Sequence, residues 1–337
     1  MIDFLYKVGS RGGVTSSLYS FLRKNKDSNR KGLVEKILAR DIRQYLKTDL
    51  CPTLVSHPIL VPMIADIVPV YYQHGEIAAP PEAAVKGARE IFVPLEDTAN
   101  NMIRNGVPES KVQLSGLCIE PEIAVNAEEY FYNRITRFRN NKQLIGAFFS
   151  SGAEPFDHIE KIISASASLD KADQKAIIFC RAEGRLEKRL SKVALAAKFN
   201  PLDDGASVPE QLRSRNVIMV SCRSRENESA CTNKLFKYFD YLVAPSHERT
   251  NWAVGLGLPM FILLPTIGSF SPLNRLFLID SKVAVDLGKA SSFAELLEEI
   301  WRKGKLEEMA RGGFGKYDIR GFKKIAGDLI RLLEAEA

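Results

Sequence analysis

Short apolar runs alternate with helix-patterned segments along most of this chain, and that alternation limits its fold more than any other feature. Thr53-Leu-Val-Ser, Pro69-Val-Tyr-Tyr, Ile91-Phe-Val-Pro and Val112-Gln-Leu-Ser read as strands. A second series follows: Leu144–Phe149, Lys175–Cys180, Asn216–Val220, Tyr241–Ala244 and Met260–Leu264. Between them lie helical patterns at 32–46, 97–105, 157–165, 185–199 and 231–239, with shorter ones at 61–67 and 251–255. Helices at 292–303 and 321–336 close the chain. A parallel strand is buried on both faces and needs a helical crossover to reach its neighbour, so this alternation predicts βαβ units.

At 337 residues the chain exceeds one ordinary core and suits two. The expected fold class is α/β, with two Rossmann-like parallel-sheet domains facing a cleft. The expected boundaries are 1–120 for the first domain, 121–142 for a linker helix of polar and aromatic residues, 143–320 for the second domain, and 321–337 for a terminal helix. Apolar residues make up 45% and charged residues 26%, which excludes wholesale disorder. No run approaches the roughly 20 apolar residues of a spanning helix. The five cysteines are odd in number, scattered and never paired as CxxC, which argues for reduced thiols in a cytosolic compartment and against a structural zinc site. No secretory signal follows Met1.

The net charge is +6, and residues 1–50 carry it, with eleven basic against five acidic side chains. Phe4, Tyr6, Tyr19 and Phe21 are interleaved with them. This composition predicts an anionic membrane surface as a partner of residues 1–47, hence a peripheral position at the inner membrane face; the alternative is a solvated helix face. Nucleic acid is not expected, because the basic residues cluster only there and match no reader motif.

Ligands of such sheets bind beyond the carboxyl ends of the strands. Four polar, small-residue loops occupy those ends. Ser150-Ser151-Gly152 follows one strand and Arg181 to Arg185 the next; Pro245-Ser246-His247-Glu-Arg-Thr250-Asn251 follows the Asp240–Ala244 strand, and Thr266 to Asn274 follows the last. The candidate ligand-binding residues are Ser151, Gly152, Arg181, Ser246, His247, Thr250, Asn251 and Asn274. In the first half His57 and the pair His74 and Glu76 also sit at strand ends. With only four histidines, they are the candidates for proton transfer. None has metal-ligand spacing, so no metal site is expected.

The segment from Asp240 to Asn274, with Gly257-Leu-Pro259, resembles the donor half of GT-B fold glycosyltransferases. It is nearest the group of monogalactosyldiacylglycerol synthases and the peptidoglycan N-acetylglucosaminyltransferase. Leu54-Val-Ser-His-Pro58, Gln73-His-Gly75 and Ile103-Arg-Asn-Gly-Val-Pro-Glu-Ser-Lys-Val-Gln-Leu-Ser-Gly116 resemble the later part of that group's acceptor domain. The resemblance implies transfer of a sugar from a nucleotide-diphosphate donor, a UDP-sugar, to a lipid or cell-envelope acceptor, with the UDP-sugar as substrate and no further cofactor. Two departures stand out. The Gly-rich loop with its His that opens such acceptor domains has no counterpart, as though Met1 began partway into that domain. The acid that would bind the donor ribose falls at Asn251 or Trp252. Two alternatives follow: a GT-B protein that binds a sugar nucleotide or a partner without turnover, and a nucleotide-sugar epimerase.

Overall fold

The computed structural model describes residues 33–203 and 207–336. They form two compact units, one of residues 120–316 and the other of 33–119 with 317–336. Both contain a wholly parallel sheet between helices, so the chain has two Rossmann-like α/β domains.

In the smaller unit, α1 (Leu33–Thr48) leads into β1 (Thr53–Val55), α2 (Val61–Ile64), β2 (Val70–Gln73), β3 (Ile91–Val93), α3 (Glu96–Arg104) and β4 (Val112–Leu114). The four strands lie in sequence order, in register through Leu54↔Tyr71, Tyr72↔Ile91 and Phe92↔Gln113. Arg43 of α1 is paired with Asp66 at 2.6 Å, which fastens that helix beside α2. The basic and aromatic residues expected to meet a membrane fall mostly on 1–32, outside the described residues.

The larger unit opens with α4 (Pro121–Val125) and α5 (Ala127–Asn140), so the segment expected as a linker is part of this unit. Then come β5 (Ile145–Phe149), α6 (Phe156–Lys171), β6 (Lys175–Arg181), α7 (Arg185–Val193), β7 (Ala197–Lys198), α8 (Val208–Ser214), β8 (Val217–Cys222) and α9 (Arg225–Leu235). β9 (Tyr241–Ala244), α10 (Thr250–Leu256), β10 (Met260–Ile262), α11 (Phe270–Asp280), β11 (Ala284–Asp286), α12 (Phe293–Arg302) and α13 (Lys305–Gly313) complete it. The strand order is β11-β10-β9-β5-β6-β8-β7. After β5 the chain builds outward through β6 and β8, then crosses back to β9 on the other side of β5. The β5/β9 junction is therefore the switch point at which loops diverge and leave a crevice.

Alternation along the strands sets two cores. Phe148, Ile178, Met219, Tyr241 and Phe261 face α6, α12 and α13, where Phe261 and Phe293 meet edge to face at 4.9 Å. Gly146 is required there, because a Cβ on it would lie 2.4 Å from the Tyr241 ring. On the opposite face Phe149 and Phe179 stack at 4.5 Å, and Phe236 and Phe239 pack edge-on or tilted against Trp252. Asp240 is fully buried; it accepts from the Ile145 N–H at 2.8 Å and from Arg137 at 2.6 Å, which ties α5 to the start of β5 and β9.

The terminal helix α14 (Gly321–Glu336) returns to the smaller unit. The Leu117 N–H donates to Asp318 O at 2.7 Å and the Gly321 N–H to Leu117 O at 2.9 Å. Ile325 then packs on Tyr71 and Phe92. Three expectations differ from these elements. The helix expected over 185–199 ends at Val193, where Ala194 turns left-handed (φ 52°) before β7. The helix expected from Cys231 begins at Arg225, capped by Ser224, whose hydroxyl accepts from the Asn227 N–H at 3.2 Å. The stretch expected as a loop ending at Asn274 is the first half of α11.

Candidate functional site

A cavity of about 320 Å³ opens at the carboxyl ends of β5, β6 and β8. Ser150, Ser151 and Gly152 line one side; Arg181, Arg223 and Arg225 line another. The register that pairs Arg181 with Cys222 brings the ends of β6 and β8 level, so Arg181 and Arg223 lie on adjacent strand ends. Both are exposed, and among the described residues neither guanidinium has a hydrogen bond or an ion pair. Unpaired guanidinium groups in a concave site are donors for phosphate or carboxylate.

Two further arginines beside the cavity are committed to the protein. Arg225 pairs with Glu228 at 2.8 Å and approaches Glu248 at 3.6 Å. Arg249 holds a left-handed backbone (φ 59°) just before α10, and its guanidinium lies over the Phe149 ring at 4.8 Å and the Trp252 ring at 4.5 Å. It is also paired with Glu120 at 3.1 Å and with Glu228. Trp252 Nε1 donates to the same Glu120 at 3.0 Å. Glu120, Arg249 and Glu228 thus lock the β5/β9 crevice on the side next to the cavity. Burial raises the Glu248 carboxyl above its ordinary pKa, against the opposing pull of Arg225 and Arg249.

The residues singled out from sequence distribute unevenly. Ser151, Gly152 and Arg181 line the cavity; Gly152 is exposed, with open space where a Cβ would stand. The neighbouring Ser150 has a buried hydroxyl with no hydrogen-bond partner among the described residues. Glu154 accepts from the Arg185 N–H at 2.5 Å, so this carboxylate fills the positive end of α7 that a phosphate would use. Ser246 is fully buried and bonded to the Ser271 carbonyl at 2.7 Å and its hydroxyl at 2.8 Å, which makes it a tie between two loops. Thr250 is buried at the first position of α10, and Asn251 is half-buried beside it. Asn274 is fully buried inside α11 rather than presented by a loop. Burial lowers His247 to a pKa of about 4.

In the smaller unit, His74 sits among partners. The Tyr72 hydroxyl meets its Nδ1 at 2.8 Å and Ala78 O meets its Nε2 at 3.1 Å, while burial lowers its pKa to about 4. With both ring nitrogens bonded, the expected base has neither a lone pair nor an N–H left for a substrate. His57 is exposed and accepts from the Ile59 N–H through Nδ1 at 3.2 Å, as the cap of a short turn. Glu76 is half-buried, and its charge raises the Tyr72 hydroxyl after burial, the larger cause. Among the described residues no cluster of His, Cys, Asp and Glu has the makings of a metal site.

Arg223, Arg225, Glu228 and Arg249 are the site residues that the sequence reading omits. Placing the start of α9 at Cys231 hides the first three; the Ser224 to Asn227 cap is the signal that would have found them. A larger cavity of about 670 Å³ lies at the amino ends of β5 and β6, lined by Asn141, Lys175 and Arg213 among others. It is at the wrong edge of a parallel sheet for a ligand, and its Lys175 is bonded to Asn216.

No protein-family model and no curated protein sequence matches the chain. Solved structures do match its fold. MnaA of S. aureus, solved with UDP, is similar over 99% of this chain and 93% of its own, with a TM-score of 0.59 at 12% identity. The UDP-GlcNAc 2-epimerase of Neisseria meningitidis bound to UDP-GlcNAc is similar over 91% and 83%, with a TM-score of 0.52 at 14% identity. That of Methanocaldococcus jannaschii, in complex with UDP-GlcNAc and UDP, is similar over 88% and 80%, with a TM-score of 0.53 at 14% identity. At these identities the likeness is one of fold, and the two-domain fold is GT-B-like.

Proposed function

We propose that this chain binds a UDP-sugar at the carboxyl edge of its seven-stranded sheet, with the diphosphate against Arg181 and Arg223. The observation that carries the reading is the cavity of about 320 Å³ lined by two guanidinium groups that, among the described residues, have no ion pair, although Glu154 and Glu228 line the same cavity. The free hydroxyl of Ser150 adds a neutral donor on the facing side. UDP-sugar chemistry is supported by the fold, since the similar structures named above were solved with UDP or UDP-GlcNAc.

For the reaction, epimerisation of a UDP-N-acetylhexosamine is favoured over transfer, because two of those similar structures are UDP-GlcNAc 2-epimerases. Transfer rests on the sequence pattern from Asp240 to Asn274, whose two ends are buried side chains in the fold. A binder without turnover is the second reading, and the occupied ring of His74 favours it. Proton NMR of UDP-GlcNAc incubated with the protein separates them. Epimerisation gives a second sugar-nucleotide spectrum without free UDP; transfer gives UDP only when an acceptor is added. An unchanged spectrum with a saturable binding isotherm marks the binder. No binding at millimolar UDP or UDP-GlcNAc overturns the proposal.

A peripheral membrane position belongs to the same proposal, supported by the charge of residues 1–47. Each basic residue near an anionic surface contributes about 1 kcal/mol. Vesicles rich in anionic lipid should therefore co-sediment the protein, and added salt should release it; sedimentation independent of lipid charge removes this part.

A further inference from the structure

The terminal helix α14 carries two apolar faces. One of them, Ile325 with Leu329 and Leu332, lies on Tyr71 and Phe92 of the four-stranded sheet. The other is Phe322, Ala326, Ile330 and Leu333, which at 3.6 residues per turn fall within an arc of about 80° on the adjoining side. All four are exposed, Phe322, Ile330 and Leu333 by 45%, 57% and 38%. Single apolar side chains scattered on a surface are ordinary, but a line of them along one helix is a patch. Lys323 and Glu334 border the stripe on one flank. Lys324 is paired with Asp318 at 2.9 Å and Arg331 with Asp328, whereas among the described residues Lys323 and Glu334 have no ion pair. Gly327 lies on the same flank at mid-helix, where it weakens the helix and has open space in place of a Cβ. No neighbour in its own chain requires the missing side chain.

We propose that this stripe docks a second copy of the chain, α14 against α14, antiparallel about a two-fold axis near Asp328. In that register the stripe is complementary to itself. Ala326 of each copy faces Ile330 of the other, the small side chain leaving room for the large, and Phe322 faces Leu333. A two-fold contact repeats each of these pairings. In antiparallel helices the same flank meets the same flank, so Lys323 of each copy comes beside Glu334 of the other. A parallel pair would instead set Lys323 beside Lys323 and Glu334 beside Glu334, like charges together. Gly327, next to the axis, lets the two backbones approach where they cross. Sixteen helical residues span about 24 Å, which puts the contact at the low end of specific interfaces. The dimer therefore exchanges with monomer, with a dissociation constant on the order of 10 µM. This contact rests on α14 alone and is independent of the nucleotide reading.

Sedimentation velocity of the full chain from about 1 to about 200 µM is the test. The expected result is a shift from monomer to dimer across that range, and monomer alone at the highest concentration overturns the proposal. Ile330→Glu puts a charge into the stripe and leaves the face on Tyr71 and Phe92 as it is. It should weaken the dimer at least about tenfold, with circular dichroism unchanged. A dimer of unchanged strength in this variant places the contact on another surface and overturns the proposal. The charge pair then tests the register. Lys323→Glu alone and Glu334→Lys alone should each weaken the dimer by about threefold or more, and the double variant should restore it. The two side chains are eleven residues apart on one helix, about 16 Å, so rescue arises only between copies. Absence of rescue overturns the antiparallel register. A chain that stays monomeric and loses its binding to anionic vesicles on Ile330→Glu gives the stripe to lipid, and the proposal falls.

Discussion

Arg134 shows what one buried charge does in this fold. Its Nε donates to Phe239 O and its Nη1 to Leu256 O and Gly257 O, each at 3.0 Å, with the guanidinium fully buried. It therefore caps the carboxyl end of α10, where carbonyls lack helical partners and a positive charge is favoured. Burial still lowers its pKa to about 9, with Arg137 adding repulsion and Asp240 offsetting part of it. Arg134→Met removes the donor that Leu256 O and Gly257 O share, while Phe239 O keeps Arg137 at 3.2 Å, so it should cost about 3–5 kcal/mol in urea unfolding. A loss under about 1 kcal/mol would mean that water replaces the side chain. Arg181 and Arg223 are the opposite case, exposed and, among the described residues, without an ion pair. Their removal should leave the urea midpoint unchanged.

At the scale of elements, the contact between α10 and α13 is set by glycine. A Cβ on Gly313 would lie 2.0 Å from Ala253 O, so the two helices touch backbone to backbone. Gly313→Ala must push them apart, and overpacking of this kind costs about 1–3 kcal/mol; an unshifted thermal midpoint would contradict the close approach. Most strands were legible in the sequence because buried parallel strands read as continuous apolar runs, and Tyr241–Ala244 matches residue for residue. Elements with mixed composition were not. α11 begins Phe-Ser-Pro, which reads as a turn, yet Pro272 occupies the first turn of the helix, where its missing N–H has no partner to lose. That misreading turned Asn274 from a buried helix residue into a loop ligand. The paired strand ends at Arg181 and Cys222 were visible only through register, which no periodicity in one strand can state. α14 shows the same limit. Its pattern marked a helix, but its place on Tyr71 and Phe92 is a contact across more than 200 residues. Ile325→Ala should destabilise the smaller unit by about 2–5 kcal/mol, read as earlier proteolysis of that unit alone.

For the whole molecule, three buried histidines weaken the fold in acid, against the opposing effect of the raised Asp240 and Glu248 carboxyls. Burial lowers His74, His158 and His247 from 6.5 to about 4. Between those values the unfolded chain binds more protons than the native one, so their stability is complete above about pH 6.5 and is lost as pH falls toward 4. The fully enclosed His74 and His158 each account for on the order of 3 kcal/mol across that window. The thermal midpoint should fall steadily from pH 7 to pH 4, and His158→Asn should flatten the slope; a midpoint constant over that range would show the rings to be protonated in place. The central claim is that an anionic nucleotide meets unpaired guanidinium groups at the carboxyl edge of the seven-stranded sheet. Calorimetric titration of UDP into the wild type and into the double variant Arg181→Ala, Arg223→Ala tests it most directly. Each lost hydrogen bond to a charged group costs about 1.5–3 kcal/mol, so the account predicts affinity at least about tenfold weaker for the variant, with its thermal midpoint unchanged. Equal affinity of the two proteins, or no heat from the wild type at millimolar UDP, would contradict it.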